Sequence, residues 1–342
     1  MKTYAQPRIA IVGATGAVGA TMISILQERG VPLENLRLMA SSRSQGRSIK
    51  TMWGDVIVED LATADPDGID IALFSAGGAR SLEFAPRFAK AGATVIDNSS
   101  AFRMHEDVPL VVANVNNGAI EQHNGIVANP NCTTMTILMA AGPLHKAAGL
   151  RSMIATSYQS VSGSGKTGID QLSSEVEHFG DNLDGLATGR WQDPGGDLYT
   201  RPIAYNVLPL AGSITERGYT DEEWKLVNET RKILDRPDIA VEPTCVRVPV
   251  MVGHGIAASM WFDRLVDLDE AVAVLGGAPG IQLWDDTKVP TPLDAAGIDD
   301  VLVGRLRETI GAPNGLNLFA IGDNLRKGAA LNAVELAELL IA

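Results

Sequence analysis

Residues 129–134, Asn-Pro-Asn-Cys-Thr-Thr, combine a thiol with the features that start a helix. Asn131 is a good N-cap residue, and apolar residues recur at helical spacing between Met135 and Met139. A thiol in the first helical turn lies near free N–H groups and the positive end of the helix dipole, which favour the thiolate. The same N–H groups could bind the oxyanion that forms when sulfur attacks a carbonyl. Cys132 is therefore a candidate nucleophile, and the alternative is a buried, inert cysteine.

Two other polar residues stand in apolar surroundings further along the chain. Arg247 lies in a predicted strand over residues 241–250, where an arginine is costly unless it meets an anion such as a substrate carboxylate. An internal ion pair remains the alternative. His254 follows between two glycines, before a second predicted strand over residues 256–262, and on its own it is more often structural than catalytic.

A glycine-rich turn near the start of the chain has the context of a dinucleotide-binding site. Residues 8–12 predict a short buried strand, and Gly13, Gly16 and Gly19 follow it before an apolar helical pattern begins. Such a turn allows the backbone to approach a pyrophosphate at a helix N-terminus. The spacing is G-x-x-G-x-x-G, a variant of the usual fingerprint, and a tight structural turn is the alternative.

The loop after the second predicted strand, Leu36–Ala40, favours NADP over NAD. NAD-binding folds usually place Asp or Glu here to hold the ribose hydroxyls, whereas residues 40–47 contain no carboxylate. Two serine hydroxyls and Arg43 suit a 2′-phosphate, although an exposed polar loop would look similar. Further strands over residues 69–74 and 94–97 end in small residues, as ligand loops of open α/β sheets do. These patterns predict a doubly wound nucleotide-binding domain.

A third glycine turn resembles a phosphate-binding P-loop without meeting its requirements. A predicted strand over residues 152–161 ends in Ser-Gly-Ser-Gly-Lys-Thr, but Ser160 stands where the P-loop needs glycine. The turn leads into a predicted helix over residues 169–179 and could support a cofactor amide or a second anion. Two more helices are predicted, one over residues 220–234 with a Thr220–Glu223 capping box, and an apolar one over residues 331–340 that returns to the first domain.

Composition excludes several classes of function. The 342 residues include 28 basic and 41 acidic side chains, a net charge of −13, which argues against a nucleic-acid surface. Two cysteines form no disulfide framework, and no spacing suggests a metal site. Residues 1–8 lack the apolar run of a signal peptide, and no segment is long and apolar enough for a membrane span. A cytoplasmic protein is expected.

Taken in their order along the chain, the segments listed next resemble those of aspartate-semialdehyde dehydrogenases, and the resemblance covers nearly the whole chain. The matching segments are the glycine turn 13–19, Ser-Ser-Ala-Phe-Arg103, Asn-Pro-Asn-Cys132-Thr, Ser-Tyr-Gln159-Ser-Val-Ser-Gly-Ser-Gly, Gly-Tyr-Thr-Asp-Glu-Glu-Trp-Lys225, Arg247-Val-Pro-Val-Met-Val-Gly-His254 and Asp-Asn-Leu-Arg-Lys-Gly-Ala-Ala-Leu-Asn332. The family couples oxidation of an aldehyde to phosphorylation, with NADP as the hydride acceptor. It usually runs in reverse, reducing aspartyl phosphate on the way to lysine (through diaminopimelate), methionine and threonine.

The resemblance implies a role for each matching residue. Cys132 is the covalent nucleophile that carries an acyl-thioester, and His254 is the general acid–base, with a pKa expected near the working pH. Gln159 positions the substrate and the nicotinamide. The implied substrate contacts are Arg247 for the α-carboxylate and Glu222 for the amino group, and the implied phosphate contacts are Arg103 and Lys225. The implied cofactor contacts are Gly13, Thr15, Gly16, Ala17, Val18, Ser41, Ser42, Arg43, Ser44, Ser162, Gly163 and Asn324.

The resemblance also implies the architecture and the partners. A Rossmann-type NADP-binding domain is expected over residues 1–131 with 319–342, and an α+β catalytic and dimerisation domain with a mixed sheet over residues 132–318. Aspartate semialdehyde and inorganic phosphate are the expected substrates, and the expected assembly is a homodimer or a homotetramer. Many family members carry an acidic residue where this chain has Ala113-Asn114, which leaves the details of that loop open.

Two rival functions remain. N-acetylglutamyl-phosphate reductases perform the same reaction on a longer, acylated substrate, but a carboxylate such as Glu222 would be unhelpful beside a masked amine. A non-catalytic homologue could keep the fold as a binding or regulatory module. Such a protein is expected to lose its nucleophile or its base, whereas Cys132, Gln159, Arg247 and His254 are all present.

Overall fold

Two mixed β-sheets organise the chain. A computed structural model describes residues 6–30, 36–52, 54–180 and 183–341. Most of the segment tested for a signal-peptide pattern, residues 1–5, lies outside the described residues. One sheet has seven strands and the other has six, with helices packed against both. The α/β class with a mixed second sheet is as predicted.

The first sheet is almost entirely parallel. Its strands are β1 (Ile9–Val12), β2 (Leu36–Ala40), β3 (Ser48–Thr51), β4 (Gly54–Asp60), β5 (Ile71–Phe74), β6 (Thr94–Asp97) and β7 (Ile126–Ala128). They lie in the order β3-β4-β2-β1-β5-β6-β7, and only the edge strand β3 runs antiparallel to its neighbour. No sequence pattern predicted β3 and β4, because their residues are mostly exposed or half-buried and lack a buried apolar run.

Helices cover both faces of this sheet. Helices α1 (Ala17–Glu28) and α9 (Leu331–Glu338) pack with Ile9 and Ile11 in one apolar cluster. Helix α2 (Gly78–Lys90) packs with Ala10 and Val12 in another cluster on the opposite face. The C-terminal helix is therefore part of the N-terminal layer, as the sequence led us to expect. Two covered faces give the doubly wound arrangement, whose ligand sites lie at the carboxyl ends of the strands.

The second sheet mixes parallel and antiparallel pairs. Its strands are β8 (Leu150–Gln159), β9 (Ala240–Arg247), β10 (His254–Phe262), β11 (Ile281–Leu283), β12 (Val301–Glu308) and β13 (Gly315–Gly322), in the order β11-β12-β13-β10-β8-β9. Helix α3 (Cys132–Ala148) packs against its central strands. Strand β10 begins at His254, two residues before the predicted start, because His254 pairs with Gln159 on one side and Gly322 on the other.

The remaining helices lie between or beside the strands of the second sheet. They are α4 (Lys166–Phe179), α5 (Leu183–Ala187), α6 (Asp221–Ile233), α7 (Leu268–Gly276) and α8 (Pro292–Ala295). The predicted capping box of α6 is confirmed: Glu223 N donates to Thr220 Oγ1 at 3.2 Å, and Thr220 N donates to Glu223 Oε2 at 2.7 Å. Within the described ranges, no helix is both long and apolar enough to cross a bilayer. The exact domain boundaries stay a prediction.

Candidate active site

The turn between β7 and α3 presents Cys132 as the first residue of a helix. Asn131 caps this helix: its Oδ1 accepts from Thr133 N at 2.9 Å and from Thr134 N at 3.4 Å. The predicted N-cap and helix start are therefore confirmed. Gly328 lies against the thiol-bearing residue, since a Cβ at Gly328 would lie 2.9 Å from Cys132 Cβ. Glycine at this position is what leaves room for Cys132.

The ionisation of Cys132 differs from the sequence-based expectation. Part of the residue reaches solvent, yet burial raises the pKa of its thiol to about 11, and the Glu222 carboxylate acts in the same direction. Arg103, Arg247 and the N–H of Thr133 lower this pKa, but they do not outweigh burial. The expectation of a thiolate favoured by the helix N-terminus was thus wrong. Helix position alone cannot offset desolvation of the sulfur.

Two carboxylates of helix α6 hold Asn131 in place. Glu222 Oε2 accepts from Asn131 Nδ2 at 3.0 Å, and Glu229 Oε2 accepts from Asn131 N at 2.7 Å. The two glutamates are seven residues apart, so they project from the same face of the helix. Sequence reasoning identified Glu222 and missed Glu229, although this spacing was a usable signal. Helix α6 therefore fixes the backbone and the side chain of the residue next to the nucleophile.

The two cations predicted to bind phosphate both have carboxylate partners. Arg103 donates to Glu229 Oε1 at 2.9 Å, to Asn129 O at 2.9 Å and to Asn98 O at 2.7 Å. Lys225 Nζ lies 2.7 Å from Asp221 Oδ2 and 2.5 Å from Glu222 Oε1. Burial opposes the charge of Lys225, but these carboxylates outweigh it and raise its pKa. Arg103 still acts on Cys132 electrostatically and keeps two guanidinium hydrogens outside these bonds.

Three predicted site residues form one row across the second sheet. Gln159, at the end of β8, is in register with Arg247 on the neighbouring strand β9 and with His254 on β10. All three are buried. They are distant in sequence, and only the pairing of these three strands places them side by side.

His254 is held by the turn that follows Gln159. Its Nδ1 accepts from Ser160 N at 3.1 Å, whereas its Nε2 is buried and has no hydrogen-bond partner among the described residues. Burial, followed by the positive charge of Arg247, lowers the pKa of His254 to about 3. A pKa near the working pH was expected from the sequence, and that expectation was wrong. The ring is neutral at physiological pH.

A cavity of about 270 Å³ contains the two residues predicted to bind the substrate. Arg247 and Glu222 both line it, together with Ser164 and Tyr199. Arg247 Nη1 donates to Ser160 O at 2.8 Å, and its buried Nε has no partner among the described residues. A guanidinium and a carboxylate on one small cavity suit an amino acid with free α-carboxylate and α-amino groups.

Gly163 lies beside Arg247 and His254. A Cβ at Gly163 would lie 2.9 Å from Arg247 Nη1 and 3.1 Å from His254 Nε2. Ser162 Oγ and Ser160 Oγ both donate to Asn324 Oδ1, at 3.1 and 3.0 Å, and Gly253 N donates to the same oxygen at 2.9 Å. Ser162, Gly163 and Asn324, predicted as cofactor contacts, thus surround His254.

A separate cavity of about 380 Å³ lies at the carboxyl ends of β1, β2 and β5. The predicted cofactor residues that line it are Gly13, Thr15, Gly16, Ser41, Arg43 and Ser44. Ala17 and Val18 start helix α1 and Ser42 lies in the adjacent short 3-10 turn, but none of them lines the cavity. Ser75 and Ala76 line it from the loop after β5, which the sequence predicted to be a ligand loop, whereas Arg80 of α2 was not predicted.

The geometry of this cavity fits a dinucleotide. A Cβ at Gly13 would lie 2.2 Å from Ser75 O, and one at Gly19 would lie 2.3 Å from Gly13 O, so only glycine permits this close turn. Arg43 and Arg80 supply positive charge for a phosphate. In the described part of the chain, no group of three or more His, Cys, Asp or Glu side chains could hold a metal ion.

Comparisons with known proteins agree with this geometry. Residues 8–123 match the family described as semialdehyde dehydrogenase, NAD binding domain, and residues 141–327 match semialdehyde dehydrogenase, dimerisation domain. Aspartate-semialdehyde dehydrogenase of Corynebacterium glutamicum is 50% identical over 97% of this chain and 99% of its own length. The Streptomyces akiyoshiensis enzyme is 51% identical over 98% of both. The Vibrio cholerae aspartate semialdehyde dehydrogenase II complexed with ASA superposes with a TM-score of 0.91 at 43% identity, over 98% of both chains.

Proposed function

This chain belongs to the semialdehyde dehydrogenase family, and from that premise we propose the following reaction for it. It is an aldehyde dehydrogenase of amino-acid biosynthesis that interconverts L-aspartate 4-semialdehyde, phosphate and NAD(P) with L-4-aspartyl phosphate and NAD(P)H. The observation that carries this proposal is that Glu222 and Arg247 line one cavity and that both act electrostatically on the Cys132 thiol. No relative reported above is an N-acetylglutamyl-phosphate reductase.

Substrate recognition is proposed to use both charges of the 270 Å³ cavity. Arg247 would bind the α-carboxylate through its fork of N–H donors, since its buried Nε has no partner among the described residues. Glu222 would bind the α-amino group. Gln159, beside Arg247 in the row of three strands, would position the substrate chain. A masked amine would offer Glu222 no ammonium group to bind, which disfavours the N-acetylated substrate of the alternative function.

The chemistry is proposed to run through an acyl-thioester on Cys132. The ionised sulfur adds to the aldehyde carbon, and His254 acts on the resulting oxygen through Nε2. A dinucleotide held at the glycine turn by Gly13, Gly16 and Arg43 would supply the hydride acceptor for this adduct. Phosphate then attacks the thioester, which is a better acyl donor than an ester. Arg103 and Lys225 would bind that phosphate. At Arg103 the phosphate has to compete with the carboxylate of Glu229. At Lys225 it has to compete with the carboxylates of Asp221 and Glu222.

We propose NADP rather than NAD as the cofactor. Among the residues that the structure describes, no carboxylate lines the 380 Å³ cavity, while Arg43 and Arg80 both do. Arg43 has no hydrogen-bond or ion-pair partner within the described ranges and is exposed, so it is available to a 2′-phosphate. Ser41 and Ser44 add hydroxyl groups beside it. A cytoplasmic location stays a prediction.

We propose that a second copy of this chain packs on the open face of the six-stranded sheet. The match to a dimerisation domain covers this sheet. Ile154 is 51% exposed and Tyr158 39% exposed on β8, beside a cavity of about 600 Å³ that is lined by Trp224 and Trp261 and contains none of the proposed catalytic residues. Sedimentation analysis of the wild type and of Ile154→Asp tests this: the wild type should be a dimer or a tetramer, and the variant should dissociate.

The proposed reaction is tested by a progress curve with aspartate semialdehyde, NADP and phosphate, each omitted in turn. Product should appear only when all three are present, and N-acetylglutamate semialdehyde should not replace the substrate. Cys132→Ala should abolish turnover while NADP still binds. Normal phosphate-dependent activity in that variant would overturn the mechanism, and activity only with the acylated aldehyde would favour the alternative function.

A further inference from the structure

We propose that Tyr199 positions the Arg247 guanidinium for the substrate carboxylate, and so helps to select aldehydes that carry a free α-carboxylate. Tyr199 lies in the long loop between α5 and α6, outside the row of Gln159, Arg247 and His254. The inference rests on the proposed function, because it takes Arg247 as the residue that binds the α-carboxylate.

Tyr199 and Arg247 meet at the wall of the 270 Å³ cavity. Both residues line this cavity, and Arg247 Cζ lies over the Tyr199 ring, 6.0 Å from the ring centroid. The negative face of an aromatic ring attracts a guanidinium at this distance, most strongly where water is excluded. Arg247 is only 7% exposed. Tyr199 therefore favours one placement of the guanidinium beside the cavity.

A second contact of Arg247 leaves part of its hydrogen-bonding capacity for a ligand. Nη1 donates to Ser160 O at 2.8 Å, whereas the buried Nε has no partner among the described residues. A guanidinium binds a carboxylate through a rigid fork of N–H donors, so its orientation matters. A group that is already fixed when the substrate arrives loses less side-chain entropy on binding. Tyr199 thus contributes to affinity through Arg247.

Tyr199 itself is held in place by helix α4. Its hydroxyl donates to Ser164 Oγ at 3.1 Å, and a Cβ at Gly168 would lie 2.9 Å from that hydroxyl oxygen, so glycine leaves room for the ring. The loop is held again four residues later, because Ile203 N donates to Oε2 of the buried Glu175 at 2.6 Å. The ring is therefore a supported part of the cavity wall.

The direct experiment measures the binding of L-2-aminobutyrate to the full-length protein by calorimetry. This compound keeps both charged groups of aspartate semialdehyde and has a methyl group in place of the aldehyde, so no reaction follows binding. Tyr199→Leu removes the ring and should raise the Kd by about 2- to 30-fold, which is the range of a cation–π contact. Tyr199→Phe keeps the ring and should restore most of the lost affinity.

A control variant and three outcomes make this test decisive. Tyr205→Leu should leave the Kd unchanged, because Tyr205 is exposed in the same loop and does not line the cavity. An unchanged Kd in Tyr199→Leu would overturn the inference. Equal weakening in Tyr199→Leu and Tyr199→Phe would also overturn it, since the effect would then belong to the hydroxyl. So would a wild-type protein that does not bind L-2-aminobutyrate.

Turnover tests the selectivity. The compound 3-aminopropanal is aspartate semialdehyde without its carboxylate, so it offers Arg247 nothing to bind. Tyr199→Leu should lower the ratio of kcat/KM for aspartate semialdehyde to kcat/KM for 3-aminopropanal by a similar factor, about 2- to 30-fold. A general disturbance of the loop would lower both values and leave their ratio unchanged, which would contradict the inference. If the wild type has no activity with aspartate semialdehyde, the proposed function fails instead, and the Kd values still test the contact.

Discussion

Arg103 and Glu229 form a buried ion pair, with 2.9 Å between Nη1 and Oε1 and side-chain exposures of only 9% and 1%. The second carboxylate oxygen of Glu229 accepts the backbone N–H of Asn131 at 2.7 Å. One carboxylate thus joins a proposed phosphate ligand to the turn that carries Cys132. Neither contact involves residues close in sequence, so the link depends on helix α6 packing beside the start of α3.

Glu229→Gln should destabilise the protein and slow catalysis. An amide can accept from only one of the two donors with its single oxygen, and a buried Arg103 without its counter-charge is costly, by about 3–5 kcal/mol. Urea unfolding measures this loss. Glu338→Gln is the matched control, because Glu338 pairs with Arg29 at a partly exposed site, with side-chain exposures of 38% and 40%, where such pairs contribute about 1 kcal/mol or less. If both variants lose the same small amount of unfolding free energy, Glu229 does not have the structural role assigned to it here.

Alkylation of Cys132 should report its raised pKa. Only the thiolate reacts, so with a pKa of about 11 the rate should rise throughout the neutral range, by about tenfold per pH unit. Glu222→Gln removes a negative charge that disfavours the thiolate, and it should lower the pKa and speed the reaction at fixed pH. Asp221→Asn is the control, since Asp221 also pairs with Lys225 but does not contact Asn131. A rate that levels off near neutral pH would contradict the assigned pKa.

Gly163→Ala should impair substrate use more than cofactor binding. Its Cβ would crowd Arg247 Nη1 and His254 Nε2, at 2.9 and 3.1 Å, and misplacing such groups can cost about 10²-fold in kcat/KM. Equilibrium binding of NADP should change little. Gly78→Ala is a suitable control, because a Cβ there meets nothing within 4 Å. If NADP binding weakens while the KM for the aldehyde is unchanged, Gly163 serves the cofactor, as the family resemblance implied.

Arg43→Ala should weaken NADP binding selectively. Losing one hydrogen bond to a charged phosphate costs about 1.5–3 kcal/mol, or about tenfold to a hundredfold in Kd. The Kd of NAD, which has no 2′-phosphate, should stay the same. Arg47→Ala is the matched control, because Arg47 is exposed in the same segment but does not line the cavity. A parallel loss for both cofactors would point to a general effect on the pyrophosphate site.

Local patterns in the sequence were enough for the parts of the site that depend on neighbouring residues. The strand, glycine turn and helix at residues 9–28 follow from hydrophobic periodicity and from glycines that only a close turn requires. The helix that starts at Cys132 follows from the Asn131 cap. The identities of Arg247 and His254 limited the chemistry, because a buried arginine and histidine on apolar strands need a partner.

How those groups behave depends on contacts that form only when the chain folds. Strand pairing placed Gln159 between Arg247 and His254, and packing of α6 against the Cys132 turn brought in Glu229. Burial raised the pKa of the thiol and lowered that of the imidazole, in both cases against the sequence-based expectation. The kinds of reactive group and their local turns could be predicted from the residues alone, because those depend on short-range sterics and hydrogen bonding. Desolvation and the charges of distant residues exist only once the chain has folded, and these set the protonation state of Cys132 and His254.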